Sequence, residues 1–165
     1  MPNWKHFTEK EILFPVFPNG SKLKTWHELE NLVPNVAHSL EYTMQLVEKI
    51  REKYNNPIQI TSAWRPKDSK GPHLTGKAID FRCLNNLPEW PLKIFNILEN
   101  LDETDFRIFW EYKGYYQGWM HIDRDYRTAS GQTVFNIGYL KNKNMIYERW
   151  NGISPIEKTL KAGNV

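Results

Sequence analysis

His73 and Asp80 lie seven residues apart in Gly71-Pro72-His73-Leu74-Thr75-Gly76-Lys77-Ala78-Ile79-Asp80. An imidazole and a carboxylate brought side by side can hold a divalent metal ion. Gly76 and Ala78 between them are too small to obstruct that approach. Pro72 and Gly76 predict a turn, and Ala78-Ile79-Asp80-Phe81 a strand leading out of it, so the chain can fold His73 back beside Asp80. Catalytic zinc takes three protein ligands and keeps a fourth position for water. His121, in Trp119-Met120-His121-Ile122-Asp123, offers the third. Two neutral imidazoles and one carboxylate leave about one net positive charge on a divalent ion. That charge lowers the pKa of bound water towards ~7 and polarises a peptide carbonyl. Each residue taken singly has a plainer reading: an exposed loop histidine, a strand-end aspartate and a core histidine.

Such chemistry also needs a base. Trp110-Glu111 ends one predicted strand, and His121 lies in the next. If Glu111 pairs across that hairpin with Trp119, alternation puts Glu111, Trp119 and His121 on one face. A slip of one residue would turn Glu111 away. Asp123 shares the face of His121 in any register, which suits a carboxylate that orients a ligand imidazole through its other nitrogen. Both carboxylates are candidate catalytic groups, Glu111 ahead of Asp123, and the plainer reading of each is a solvated strand residue. Arg65 carries a planar guanidinium fork matched to a carboxylate. Its plainer alternative is a surface pair with Asp68.

Thr61-Ser62-Ala63-Trp64-Arg65, His73-x-x-Gly76-x-Ala78-x-Asp80 and Trp119-Met120-His121-Ile122-Asp123, in that order, resemble the M15 family of zinc peptidases. Lys5-His6-Phe7-Thr8-Glu9-Lys10-Glu11 is similar to the start of small phage members. The likeness runs from about residue 5 to about residue 125. It implies a hedgehog/D-Ala-D-Ala-peptidase-like fold, zinc on His73, Asp80 and His121, and substrate contacts at Ser62, Arg65 and Trp119. The implied substrate is the stem peptide of peptidoglycan, cut as by a lytic endopeptidase or a D,D-carboxypeptidase. Two positions depart from the family pattern. Members often carry an acid three residues before the second histidine, where this chain has Gly118, and a serine two before the first, where it has Gly71. Some phage relatives resemble this chain in ending the preceding strand with Trp-Glu. A zinc-containing module that binds cell wall or virion without turnover is the alternative.

With 165 residues, the chain predicts one domain over 1–165, its core at about 5–125, with a C-terminal strand and tail at 126–165. A net charge of +3 with scattered basic residues predicts no nucleic-acid patch. One cysteine, Cys83, excludes an internal disulfide and reads as a buried strand residue. No apolar run approaches the ~20 residues of a membrane helix. The first residues lack a signal pattern, which predicts cytoplasmic synthesis, with action on the wall after release or from the virion. A monomer is expected.

The elements that must position these groups follow in order. Phe7 to Leu13 predicts a helix, with Thr8 as cap and Glu11 completing a capping box. Phe14 to Gly20 predicts an extended loop, and Trp26 to Leu32 one or two helical turns stopped by Pro34. Leu40, Met44, Val47 and Ile50 mark the apolar face of a helix over Val36 to Tyr54, with Asn35 as cap and Asn55-Asn56-Pro57 as stop. Ile58 to Ser62 and Ala78 to Cys83 predict strands, and Pro91 to Leu101 a helix. Asp105 to Tyr112 and Gly118 to Arg124 predict a hairpin, and Thr133 to Leu140 a further strand. Trp64, Trp110, Tyr112, Tyr115 and Tyr116 are candidates to line a cleft or to fill the core. The whole predicts an α+β fold: a small, largely antiparallel sheet packed with helices.

Overall fold

The computed structural model describes residues 2–13, 25–68, 70–84, 89–103, 105–112, 118–124, 134–141 and 144–149. For Tyr112 and the last two segments the backbone alone is described. The loop expected at Phe14 to Gly20, the hairpin tip with Tyr115 and Tyr116, and the end of the tail lie outside these residues.

α1 (Glu9–Leu13) starts after Thr8, two residues later than the sequence predicts. The predicted capping box forms: the Glu11 amide donates to Thr8 Oγ1 at 3.3 Å, and the Thr8 amide to the Glu11 carboxylate at 2.8 Å. Phe7 and Ile12, on either side of the cap, are buried. α2 (Trp26–Leu32) carries a second capping box between Thr25 and Glu28.

α3 (Pro34–Tyr54) corrects the expected start at Val36. Asn35 is not its cap. Pro34 fills the first turn, where its missing N–H costs nothing and its fixed φ is already helical. Asn55 ends the helix in the left-handed region at φ 54°, its amide donating to Arg51 O. Leu40, Met44, Val47 and Ile50 are all fully buried, each stabilising the fold by about 1.5–3 kcal/mol relative to exposure.

The strands are β1 (Ile58–Ser62), β2 (Ala78–Cys83), β3 (Arg107–Tyr112), β4 (Gly118–Asp123), β5 (Val134–Lys141) and β6 (Asn144–Arg149), with α4 (Trp90–Glu99) between β2 and β3. Their order in the sheet is β1-β2-β4-β3-β5-β6. Every pairing is antiparallel except β3 with β5. The fold is therefore α+β with a largely antiparallel sheet. β6 has no counterpart in the sequence reading.

Adjacent rows across the sheet point opposite ways. Ile60, Phe81, Met120 and Trp110 are successive partners across β1, β2, β4 and β3, and all are buried in one apolar cluster with α3 and α4. The next row is Ser62, Asp80, His121 and Phe109, on the opposite face. Trp110 thus belongs to the core and lines no cleft, because alternation sends its neighbours Phe109 and Glu111 to the polar side. Cys83 is buried, as expected. Among the described residues no helix is long and apolar enough to cross a membrane.

Candidate metal centre

The polar row brings two of the predicted ligands together without help from any loop. Asp80 and His121 are direct partners on β2 and β4. Only His73 must be carried in from outside the sheet, by the turn before β2. That turn is held by Leu74 N–H to Gly71 O at 3.2 Å and Lys77 N–H to Pro72 O at 2.9 Å. It is tied to the chain after β1 by Arg65 N–H to His73 O at 3.1 Å and Trp64 Nε1–H to Leu74 O at 2.9 Å. Trp64 therefore packs against the core and braces the turn. Gly76 sits at φ +72°, where a Cβ would lie 2.6 Å from Val36 O on α3. Only glycine fits both that conformation and that approach.

His73 Nε2, Asp80 Oδ1 and His121 Nδ1 converge. The separations are 3.1 Å between His73 and Asp80, 3.2 Å between the imidazoles and 2.7 Å between His121 and Asp80. A tetrahedral zinc with ligands at about 2.0 Å needs donor atoms roughly 3.3 Å apart. The two separations to His73 come close to this, and the third, His121 to Asp80, is shorter, at hydrogen-bond distance. Among the described residues the trio forms a group that could hold a metal ion.

The outward-facing nitrogens fix the tautomers. His73 Nδ1–H donates to Ala63 O at 2.6 Å, and a carbonyl can only accept. His121 Nε2–H donates to Asp123 Oδ2 at 3.0 Å. Asp123 is itself an acceptor for Arg107, whose Nε and Nη2 reach Oδ1 at 3.0 and 2.8 Å and whose Nη2 reaches Oδ2 at 2.9 Å. Both imidazoles therefore aim their remaining nitrogen, His73 Nε2 and His121 Nδ1, at the same point as a carboxylate oxygen. Three electron-rich atoms so close require a cation or a proton between them. The donor set thus fits zinc.

Without a metal, a proton takes that place. Burial would lower the pKa of His121, but its hydrogen bonds to Asp123 and Asp80 outweigh this and raise it to about 9. Burial would raise that of Asp80, but hydrogen bonds from His121 and His73 win and hold it well below the usual carboxylate range.

A cleft of about 620 Å³ opens over the trio, lined among others by Ser62, Arg65, Glu111 and Trp119. Ser62 stands opposite Asp80 because a register shift follows Ile60. Arg65 pairs with Asp68, its plainer reading, with Nε 3.2 Å from Asp68 Oδ2, and its Nη2 also lies 3.9 Å from Asp80 Oδ2. Glu111 pairs with Trp119 and shares the cleft face of His121. Asp123 is fully buried behind His121, its oxygens held by Arg107 and His121.

Two participants escaped the sequence reading. Ala63 acts through a backbone carbonyl, which no residue type signals. Arg107 acts across a strand pair, and the alternation Arg107-x-Phe109-x-Glu111 was its only trace.

A family model described as Peptidase M15 matches residues 20–123. Comparison with curated proteins and with solved structures found no match.

Proposed function

The chain belongs to the peptidase M15 family, and on that footing we propose that it hydrolyses an amide bond in the stem peptides of peptidoglycan, with zinc held by His73, Asp80 and His121. The observation that carries the reading is the convergence of His73 Nε2, Asp80 Oδ1 and His121 Nδ1, with both outer ring nitrogens already engaged. Zinc, when bound, supplies a Lewis acid that makes water more acidic and polarises a peptide carbonyl.

The remaining work falls to the chain itself. Asp80 contributes the negative charge that retains a dication, and its position in mid-strand keeps the site rigid. Asp123 orients His121. Glu111, on the cleft face, takes a proton on its carboxylate from the attacking water and returns it to the leaving amine. Its strand position is two residues from Phe109, the partner of His121, or roughly 7 Å along β3, which leaves room for a water between. Arg65 receives a carbonyl or carboxylate of the substrate, with Ser62 and Trp119 as further contacts in the same cleft. The cut is of the lytic endopeptidase kind, within the stem.

Digestion of purified peptidoglycan by the zinc-loaded protein, with and without chelator, tests this. Release of stem fragments, identified by mass and abolished by chelator, is the expected result. Release of terminal D-Ala alone would replace the endopeptidase with a D,D-carboxypeptidase. No release from a protein that holds zinc would overturn the enzyme reading. It would favour a wall- or virion-binding module, a reading motivated by Gly118 standing where relatives carry an acid.

A further inference from the structure

We infer that Arg107 is a positioning residue of the metal centre, acting on His121 through Asp123. This rests on the reading of His121 as a metal ligand. Arg107 and Asp123 are direct partners across β3 and β4, so the strand register itself delivers the guanidinium to the carboxylate. The fork is bidentate, with N···O distances of 2.8 to 3.0 Å to both oxygens. Asp123 is wholly buried, and Arg107 is partly buried, its side chain 17% exposed. A carboxylate on a single bond can rotate about its χ2, and this one is clamped by a planar donor that matches it edge to edge.

The consequence reaches His121. Asp123 Oδ2 accepts from Arg107 Nη2 on one side and from His121 Nε2 on the other. With the carboxylate fixed, His121 Nε2 must keep its hydrogen, and Nδ1 is left to face His73 and Asp80. Released from the fork, Asp123 could swing, and His121 could turn its ring or exchange tautomers. Phe109 packs edge-on against His121 with centroids 5.5 Å apart, and the Arg107 guanidinium carbon lies 5.6 Å from the Phe109 ring centroid. The directional link from Arg107 to the imidazole is the carboxylate.

The test uses the full chain, stripped of metal, with zinc as probe. Calorimetric titration should show Arg107→Gln binding zinc 10–100-fold more weakly than the parent, the range for loss of an outer partner. Arg107→Lys, which keeps the charge and loses the fork, should fall between. Nitrogen-15 NMR should show His121 as the Nε2–H tautomer in the zinc-loaded parent and as a mixture in Arg107→Gln. In the Asp123→Ala background, Arg107→Gln should weaken zinc no further.

Unchanged zinc affinity and an unchanged His121 spectrum in Arg107→Gln would overturn the inference. So would losses that add in the double variant, or a raised KM with zinc affinity intact, which would make Arg107 a substrate contact. If Arg107→Gln does not fold, Arg107→Lys decides by the same readings. A parent chain that fails to bind zinc overturns the metal-site reading, and this inference with it. A parent that binds zinc no better than its variants overturns this inference alone.

Discussion

Glu111 stands directly across from Trp119 on adjacent antiparallel strands, and both face the cleft that holds His121. Of the two registers open to β3, this is the one that sends Glu111 to the polar side. If Glu111 is the base, Glu111→Gln should keep the side chain's shape and the zinc content while lowering hydrolysis of peptidoglycan by about 10²–10⁴-fold. Zinc retained at one per chain with full activity would remove Glu111 from the reaction.

Metal loading should displace a proton. At pH 7 the metal-free His121, with its pKa raised to about 9, carries a proton on both ring nitrogens. A metal on Nδ1 must expel one of them. Calorimetry in buffers of different ionisation enthalpy should therefore report at least about one proton released per zinc at pH 7, the share from His121 falling away above pH 9. No dependence on buffer would show that His121 is already neutral.

The same shift sets the pH dependence of the metal-free fold. A histidine whose folded pKa exceeds its unfolded value stabilises fully below the unfolded value, near 6.5. That stability is lost as pH rises through about 9. The melting temperature of the metal-free chain should fall between those limits, and zinc should abolish the fall. His121→Gln should flatten the metal-free profile over the same interval.

Removing the charge at Asp80 should cost more than disturbing an outer partner. Asp80→Asn keeps the side chain's size but places a neutral amide between His73 and His121. Zinc affinity should drop by more than the roughly 100-fold at the top of the outer-partner range, with far-UV circular dichroism unchanged. Affinity within a few-fold of the parent would show that the site does not rely on this carboxylate.

Gly76 should tolerate no side chain. At φ +72° an alanine is strained, and its Cβ would press on Val36 O at 2.6 Å. Gly76→Ala should destabilise the chain by about 1–3 kcal/mol and weaken zinc binding, because the turn that carries His73 must shift. Gly71, at φ +101° with nothing near its Cβ position, should show the strain alone. Denaturant unfolding of both variants separates the two contributions.

Local chemistry alone determined much of this molecule. The spacing of Leu40, Met44, Val47 and Ile50 marked α3, and Asn55 its end, because helix periodicity and left-handed caps act within a few residues. Alternation and β-branching marked β1, and turn residues on either side marked β2 and the β3–β4 hairpin. The types and order of His73, Asp80 and His121, with the family resemblance they carry, were enough to nominate a trio that could hold a metal before any geometry. Where a choice depended on distant partners, only the tertiary structure decided. The register of β3 on β4 selected the face of Glu111 and, with it, the burial of Trp110. The same register brought Arg107 to Asp123, and the turn after Pro72 brought His73 to the Ala63 carbonyl. Strand pairing is set by the packing of a whole sheet on its core, and a backbone carbonyl carries no residue type, so neither can be read from neighbours in sequence.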